Sequence, residues 1–176
     1  MALQTFRGNE NRAIRVYADT SVYGGVFDRA FAKASRRFFH QVQDGDFALV
    51  TSALVAEEIG SAPARVQIFY RTMQTKAEVV EISGEALRLA ADYVTSGIVG
   101  NQWLADARHV ALATAAGCRL IVSWNFKHIV HFGRIERYNG INLARGYSAI
   151  GIYSPLEVIG DENPGKSTGN RNHPRL

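Results

Sequence analysis

Four residues far apart in the chain are of types that a hard cation binds: Asp19, Glu58, Asp106 and Asn125. Magnesium and manganese prefer oxygen ligands, and magnesium commonly takes one or two carboxylates while keeping several waters. Each residue also has an ordinary explanation when taken alone. Asp19 ends an apolar run before a turn, where an Asp usually bonds the backbone of that turn. Asp106 falls in a first helical turn, where a carboxylate offsets the helix dipole for roughly 0.3–1 kcal/mol. Glu57 and Glu58 fit a solvated helix face, and Asn125 fits a cap for the turn that follows it. His109, one turn beyond Asp106, reads as a packed or surface histidine, because a hard cation favours oxygen over imidazole.

The elements that must position these groups follow from periodicity. The stretch from Trp103 to Ile129, WLADARHVALATAAGCRLIVSWNFKHI, organises the rest. Ala105, Val110, Leu112 and Ala113 repeat at helical spacing, Gly117 ends the run, and Arg119 to Trp124 reads as a short strand. Upstream, Arg15–Asp19 is a strand with a turn through Thr20, Ser21, Gly24 and Gly25. The next helix sets Phe31, Phe38, Phe39 and Val42 against Lys33, Arg36 and Arg37. Phe47–Thr51 is a second strand, Ser52 caps the helix ALVAEEIG, and Pro63 opens another through Val66, Phe69, Tyr70 and Met73. Glu78–Ile82 is a third strand, followed by a helix capped by Ser83. Beyond Asn125, Lys127–Phe132 and Arg134–Arg145 look helical, broken at Gly133, Gly140 and Gly146, with a last strand over Ile150–Tyr153. This alternation argues for a parallel sheet covered by helices on both faces, with all strand carboxyl ends on one edge. Asp19 and Asn125 then share that edge, and Glu58 and Asp106 can face the same crevice.

At 176 residues and 47% apolar content, the chain suits one well-buried core. Residues 1–12 read as a flexible leader, 13–160 as one domain, and 161–176, rich in Pro, Gly, Ser and Asn, as a disordered tail. The net charge of +4 favours anionic partners, nucleic acid among them. One cysteine, Cys118, excludes an internal disulfide and a Cys-rich zinc site, which fits a cytoplasmic protein. No apolar run approaches the roughly 18 residues of a spanning helix.

The segments YADTSVYGG, VAEEI, DARHVALATAAGCRLIVSWNFKHIV, YNGINL and YSPLEVI resemble the PIN-domain nucleases, and among them the VapC-type toxins of toxin–antitoxin pairs. The resemblance spans roughly Arg15 to Ile159. It implies an α/β/α sandwich with parallel strand order 3-2-1-4-5, an acidic pocket for Mg²⁺ or Mn²⁺, and hydrolysis of RNA. Asp19 and Asp106 match acidic motif positions expected to bind metal. Glu58 matches the family glutamate better than Glu57, and Ser21 matches the small polar residue supporting the first aspartate. Asn125 stands where many members carry a fourth aspartate, which favours one tight ion over two.

The expected activity is phosphodiester hydrolysis by a water that the ion orients and acidifies. Glu58 assists, Asn125 completes the surroundings, and Lys127 and His128 meet phosphates, with Arg36 and Arg37 as weaker candidates. Toxin-type members are inhibited by a small antitoxin and often dimerise; Phe69, Tyr70 and Met73 would suit an antitoxin groove but suit the core better. Two other readings stand beside this one. A PIN fold kept as an RNA-binding or partner-binding module with little catalysis is favoured by Asn125. An aspartyl-nucleophile phosphatase ranks lower, because Thr20, Ser21 and Val22 provide no second aspartate.

Overall fold

A computed structural model describes residues 13–160. The leader expected over 1–12 and the tail expected over 161–176 lie outside the described residues. Five strands form one sheet: β1 (Ile14–Ala18), β2 (Phe47–Ser52), β3 (Glu78–Val80), β4 (Leu120–Val122) and β5 (Gly151–Tyr153). Their order is β3-β2-β1-β4-β5, and every neighbouring pair is parallel. Central β1 has Val16 opposite Leu49 and Leu120, and Tyr17 opposite Val50 and Ile121. Val16, Tyr17 and Ala18 are fully buried, as a strand covered on both faces must be.

Helices α1 (Thr20–Gly25), α2 (Ala32–Gln43), α3 (Ala53–Gly60) and α4 (Ala64–Gln74) pack with one another. Helix α5 (Gly84–Thr95) packs along α6 (Leu104–Ala115) and α7 (Phe132–Ala144), while short α8 (Pro155–Val158) lies against α2. The result is a three-layer α/β/α sandwich with the expected strand order. Its local signals are where the sequence puts them. Ser52 and Ser83 accept from Val55 N and Ala86 N at 3.3 and 3.1 Å, capping α3 and α5. Gly117, at φ 67°, closes α6 with the paired bonds Cys118 N to Ala113 O and Gly117 N to Thr114 O, both 3.0 Å.

Four local expectations are corrected. Thr20–Gly25 is a short helix rather than a simple turn. Lys127–His131 is a single turn rather than a helix: Ile129 N donates to Asn125 O at 3.1 Å as in a helix, but Val130 N also turns back to Asn125 O at 2.9 Å and closes the turn. Helix α7 starts at Phe132 and runs unbroken through Gly133 and Gly140. A glycine costs a helix only about 1 kcal/mol, and burial of Tyr138 and Asn142 offsets it. Strand β4 is shorter than expected because Trp124 N leaves the ladder to bond Ser21 Oγ at 2.8 Å.

Trp124 then locks the turn after β4 to the opposite layer. Its indole Nε1 donates to Ser35 Oγ at 2.9 Å, and its ring stacks on Phe31 at 4.3 Å. Gly25 makes room for this: a Cβ there would lie 2.6 Å from both Ser35 Oγ and Trp124 Nε1. Gly25→Ala is therefore expected to cost about 1–3 kcal/mol, as overpacking does. In a thermal melt that lowers the midpoint by roughly 2–4 °C per kcal/mol. Gly24→Ala, which would meet nothing within 4 Å, should not lower it.

Candidate functional site

The chain leaves β1 toward β2 and β3 on one side of the sheet and returns to β4 on the other. The crevice of such a sheet opens where the order reverses, between the carboxyl ends of β1 and β4. Asp19 stands there. Its N–H reaches across to Val122 O at 3.2 Å, and its carboxylate accepts from Ser21 Oγ at 2.5 Å and Ser123 Oγ at 2.7 Å. The side chain makes no capping bond to α1, so the ordinary turn-bonding role is not what holds it. Asp19 is 4% exposed. Burial raises its pKa, the two hydroxyls and His109 oppose that rise, and Glu58 adds to it.

Glu58 is presented by α3, with Glu57 turned out to solvent. Its carboxylate takes hydrogen bonds from Thr20 Oγ1 and from His109 Nε2, the latter at 3.1 Å. Burial pushes its pKa up, yet the His109 contact and the Thr20 hydroxyl outweigh burial and hold it below the usual value. His109 is buried, and its Nδ1 lies 2.9 Å from Tyr17 OH, which in turn lies 2.7 Å from Ser52 Oγ. Nε2 faces the ionised Glu58, while Nδ1 meets the Tyr17 hydroxyl. A polar relay thus runs from the core to the acidic crevice.

Asp106, in the first turn of α6, is half-buried. Burial raises its pKa, aided by Glu58, while His109, Asn125 and Arg134 lower it. Asn125 Nδ2 donates to Asp106 Oδ1 at 2.9 Å, and Asn125 Oδ1 accepts from His128 N at 2.9 Å. The amide therefore caps the following turn and also faces Asp106 with its donor, leaving its oxygen engaged by backbone.

Asp19, Glu58, Asp106 and Asn125 are thus brought to one edge, with His109 among the three acids. Among the described residues, no three His, Cys, Asp or Glu side chains close into a group that could hold a metal ion as they stand. The donor chemistry nevertheless fits a hard cation: the oxygens are anionic, and burial penalises the charge on both aspartates. Ions that keep much of their water need no closed protein cage.

Lys127 is exposed, whereas His128 is buried under Trp103. Arg36 Nε bonds Val26 O at 3.1 Å and Arg37 bonds Gly160 O at 2.6 Å. Tyr70 and Met73 belong to the core, with Phe69 packed against it. Residues that the sequence did not single out are Tyr17, Ser123 and Arg134. Arg134 braces the turn after β4 through Lys127 O, His128 Nδ1 and, at 3.0 Å, Ile98 O. The sequence signal for Ser123 was slight: a hydroxyl at a strand end, two residues before Asn125.

No protein-family model matches the chain, and no curated protein does. Solved structures do. VapC20 of Mycobacterium tuberculosis, described as a sarcin–ricin-loop-cleaving toxin, superposes with a TM-score of 0.51 at 13% identity, over 64% of this chain and 92% of that one. VapBC2 from Rickettsia felis, bound to a DNA fragment from its promoter, gives 0.47 at 14% identity, over 65% and 90%, too loose a likeness to weigh. With the strand order and the switch-point crevice, the first of these shows that this chain carries the PIN-like fold of the VapC toxins.

Proposed function

We propose that the chain is a divalent-metal-dependent ribonuclease, the toxin of a type II toxin–antitoxin pair, acting in the cytoplasm with residues 13–160 as one PIN-like domain. The observation that carries this reading is Asp19, a buried carboxylate at the switch point with Asp106 and Glu58 beside it and, among the described residues, no Lys or Arg bonded to it. Buried charge is expensive, and a bound cation would offset that cost. The RNA substrate is carried over from the toxin whose fold it shares.

Asp19 and Asp106 would hold Mg²⁺ or Mn²⁺, which supplies positive charge at the phosphate and acidifies a water. Ser21 and Ser123 fix the orientation of Asp19. Asn125 holds Asp106 toward the crevice. Glu58, pinned by His109 and Thr20, has a lowered pKa and stays ionised to orient the attacking water. Lys127 meets the phosphate chain. An antitoxin and a second copy are the protein partners the fold suggests.

Purified protein with Mn²⁺ and mixed-sequence RNA tests the proposal. Cleavage that disappears with EDTA and in Asp19→Asn/Asp106→Asn supports it; cleavage surviving the double variant places the chemistry elsewhere. His109 acts here as a positioning residue. His109→Leu is expected to lower kcat about 10–100-fold, the usual cost of losing a partner that orients a site group, with RNA affinity in EDTA unchanged. His109→Gln, still able to donate to Glu58, should recover part of the rate, and equal loss in both variants would remove the role. A binding module with little catalysis is favoured by the Asn125–Asp106 bond, and calorimetry with Mn²⁺ separates the two readings.

A further inference from the structure

We propose that the indole of Trp103 is a stacking platform for an unpaired nucleobase, so that the site takes single-stranded RNA in preference to duplex. The inference rests on the ribonuclease reading for what the site does, but it is read by binding alone. Trp103 ends the 3₁₀ turn Asn101–Trp103 that leads into α6, three residues before Asp106. It is 36% exposed and lies outside the hydrophobic core.

The ring is held in place all the same. It stacks on His128 with centroids 4.1 Å apart and planes 26° from parallel, and Lys127 Nζ lies 5.0 Å from its centroid. His128 is 5% exposed, and its Nε2 is buried with no hydrogen-bond partner. Arg134 approaches Nδ1 at 3.4 Å, which helps hold the ring that backs the indole. The turn that presents Asn125 to Asp106 also supplies Lys127 and His128. A fixed aromatic ring with a cation beside it thus adjoins the acids.

Lys127 and Arg134 make the surroundings positive, which suits a polyanion. Every base offers a π-face to an aromatic ring, so stacking tolerates sequence. A duplex keeps its bases stacked inside and has none to offer.

The test uses the full chain in EDTA, where no cleavage intrudes, with a single-stranded RNA of roughly 12 nucleotides, within the span of common single-strand sites. The expected result is saturable quenching of tryptophan fluorescence by the single strand, since Trp124 is shielded at 7% exposure. Trp103→Ala should weaken single-strand binding about 10-fold or more, and Trp103→Phe should stay within about 3-fold of wild type. Affinity for a blunt RNA duplex should be the same in all three. Trp103→Ala should leave the salt slope of binding as it was, whereas Lys127→Met should reduce it by about 0.7. The proposal is overturned by any of four results: no quenching, equal losses for single strand and duplex, Phe no better than Ala, or a salt slope that falls in Trp103→Ala. A protein-partner surface would give the first. If the binding pattern holds while Mn²⁺ elicits no cleavage, the nuclease reading fails and the platform stands.

Discussion

Asp19→Asn is expected to abolish metal-dependent RNA cleavage, by about 10³-fold or more, while raising the melting temperature of the metal-free protein at neutral pH. The loss follows from removing the charge that Asp19 would offer a cation; several kcal/mol of barrier stabilisation correspond to that factor. The gain follows from burial. Asp19 has a folded pKa raised above its unfolded value, so the folded state binds more protons between the two values. Stability from this group therefore falls as pH rises through that window and stays low above it. An amide of the same shape carries no such penalty, and a gain of about 1 kcal/mol would raise the midpoint by roughly 2–4 °C. Thermal melts at pH 5 and pH 7.5 measure it: the variant should gain more at the higher pH. Mn²⁺ should stabilise wild type, increasingly so toward pH 7.5, and leave the variant alone. An Asp19→Asn protein that melts lower at neutral pH, or still responds to Mn²⁺, contradicts this account.

Asn125→Asp should have the second largest effect, with opposite signs in the two states of the site. The amide now donates to Asp106 Oδ1 at 2.9 Å. A carboxylate there would set two like charges at hydrogen-bond distance and withdraw the donor, a cost of about 1–3 kcal/mol in the metal-free protein. Its oxygen would still accept from His128 N, so the turn should persist. The added charge favours a cation, and Mn²⁺ affinity should rise about tenfold for each 1.4 kcal/mol gained. Cleavage should rise with it, since a second ion could clamp the leaving oxygen. Calorimetric titration and initial rates in Mn²⁺ check this; unchanged affinity and rate would mean that Asn125 does not limit the site.

Much of this was legible in the sequence because it was written locally. Ser52, Ser83 and Gly117 end or begin helices by rules that involve only a few neighbours, and the structure uses each as a cap. Alternation of strands and helices indicated the parallel sandwich, and the PIN resemblance supplied its strand order. The places of Asp19 and Asn125 at one sheet edge followed from parallel strands alone. His109 was read as packed or surface, and it is packed, but its hydrogen-bond partners were not legible because they lie far away: Tyr17 is 92 residues distant and Glu58 is 51. No spacing rule links them. Asn125 was read as either a cap or a site residue, and it is a cap that also faces Asp106. The Lys127–Phe132 stretch looked helical by composition, but Val130 N turning back to Asn125 O closes it after a single turn.

Asp19 is held by Ser123, 104 residues further along, through the pairing of the first strand with the fourth. A chain still on the ribosome, with its fourth strand inside the exit tunnel, has neither the hydroxyl nor the neighbouring asparagine. The setting of Asp19 is therefore completed only once the fourth strand has emerged and paired with the first.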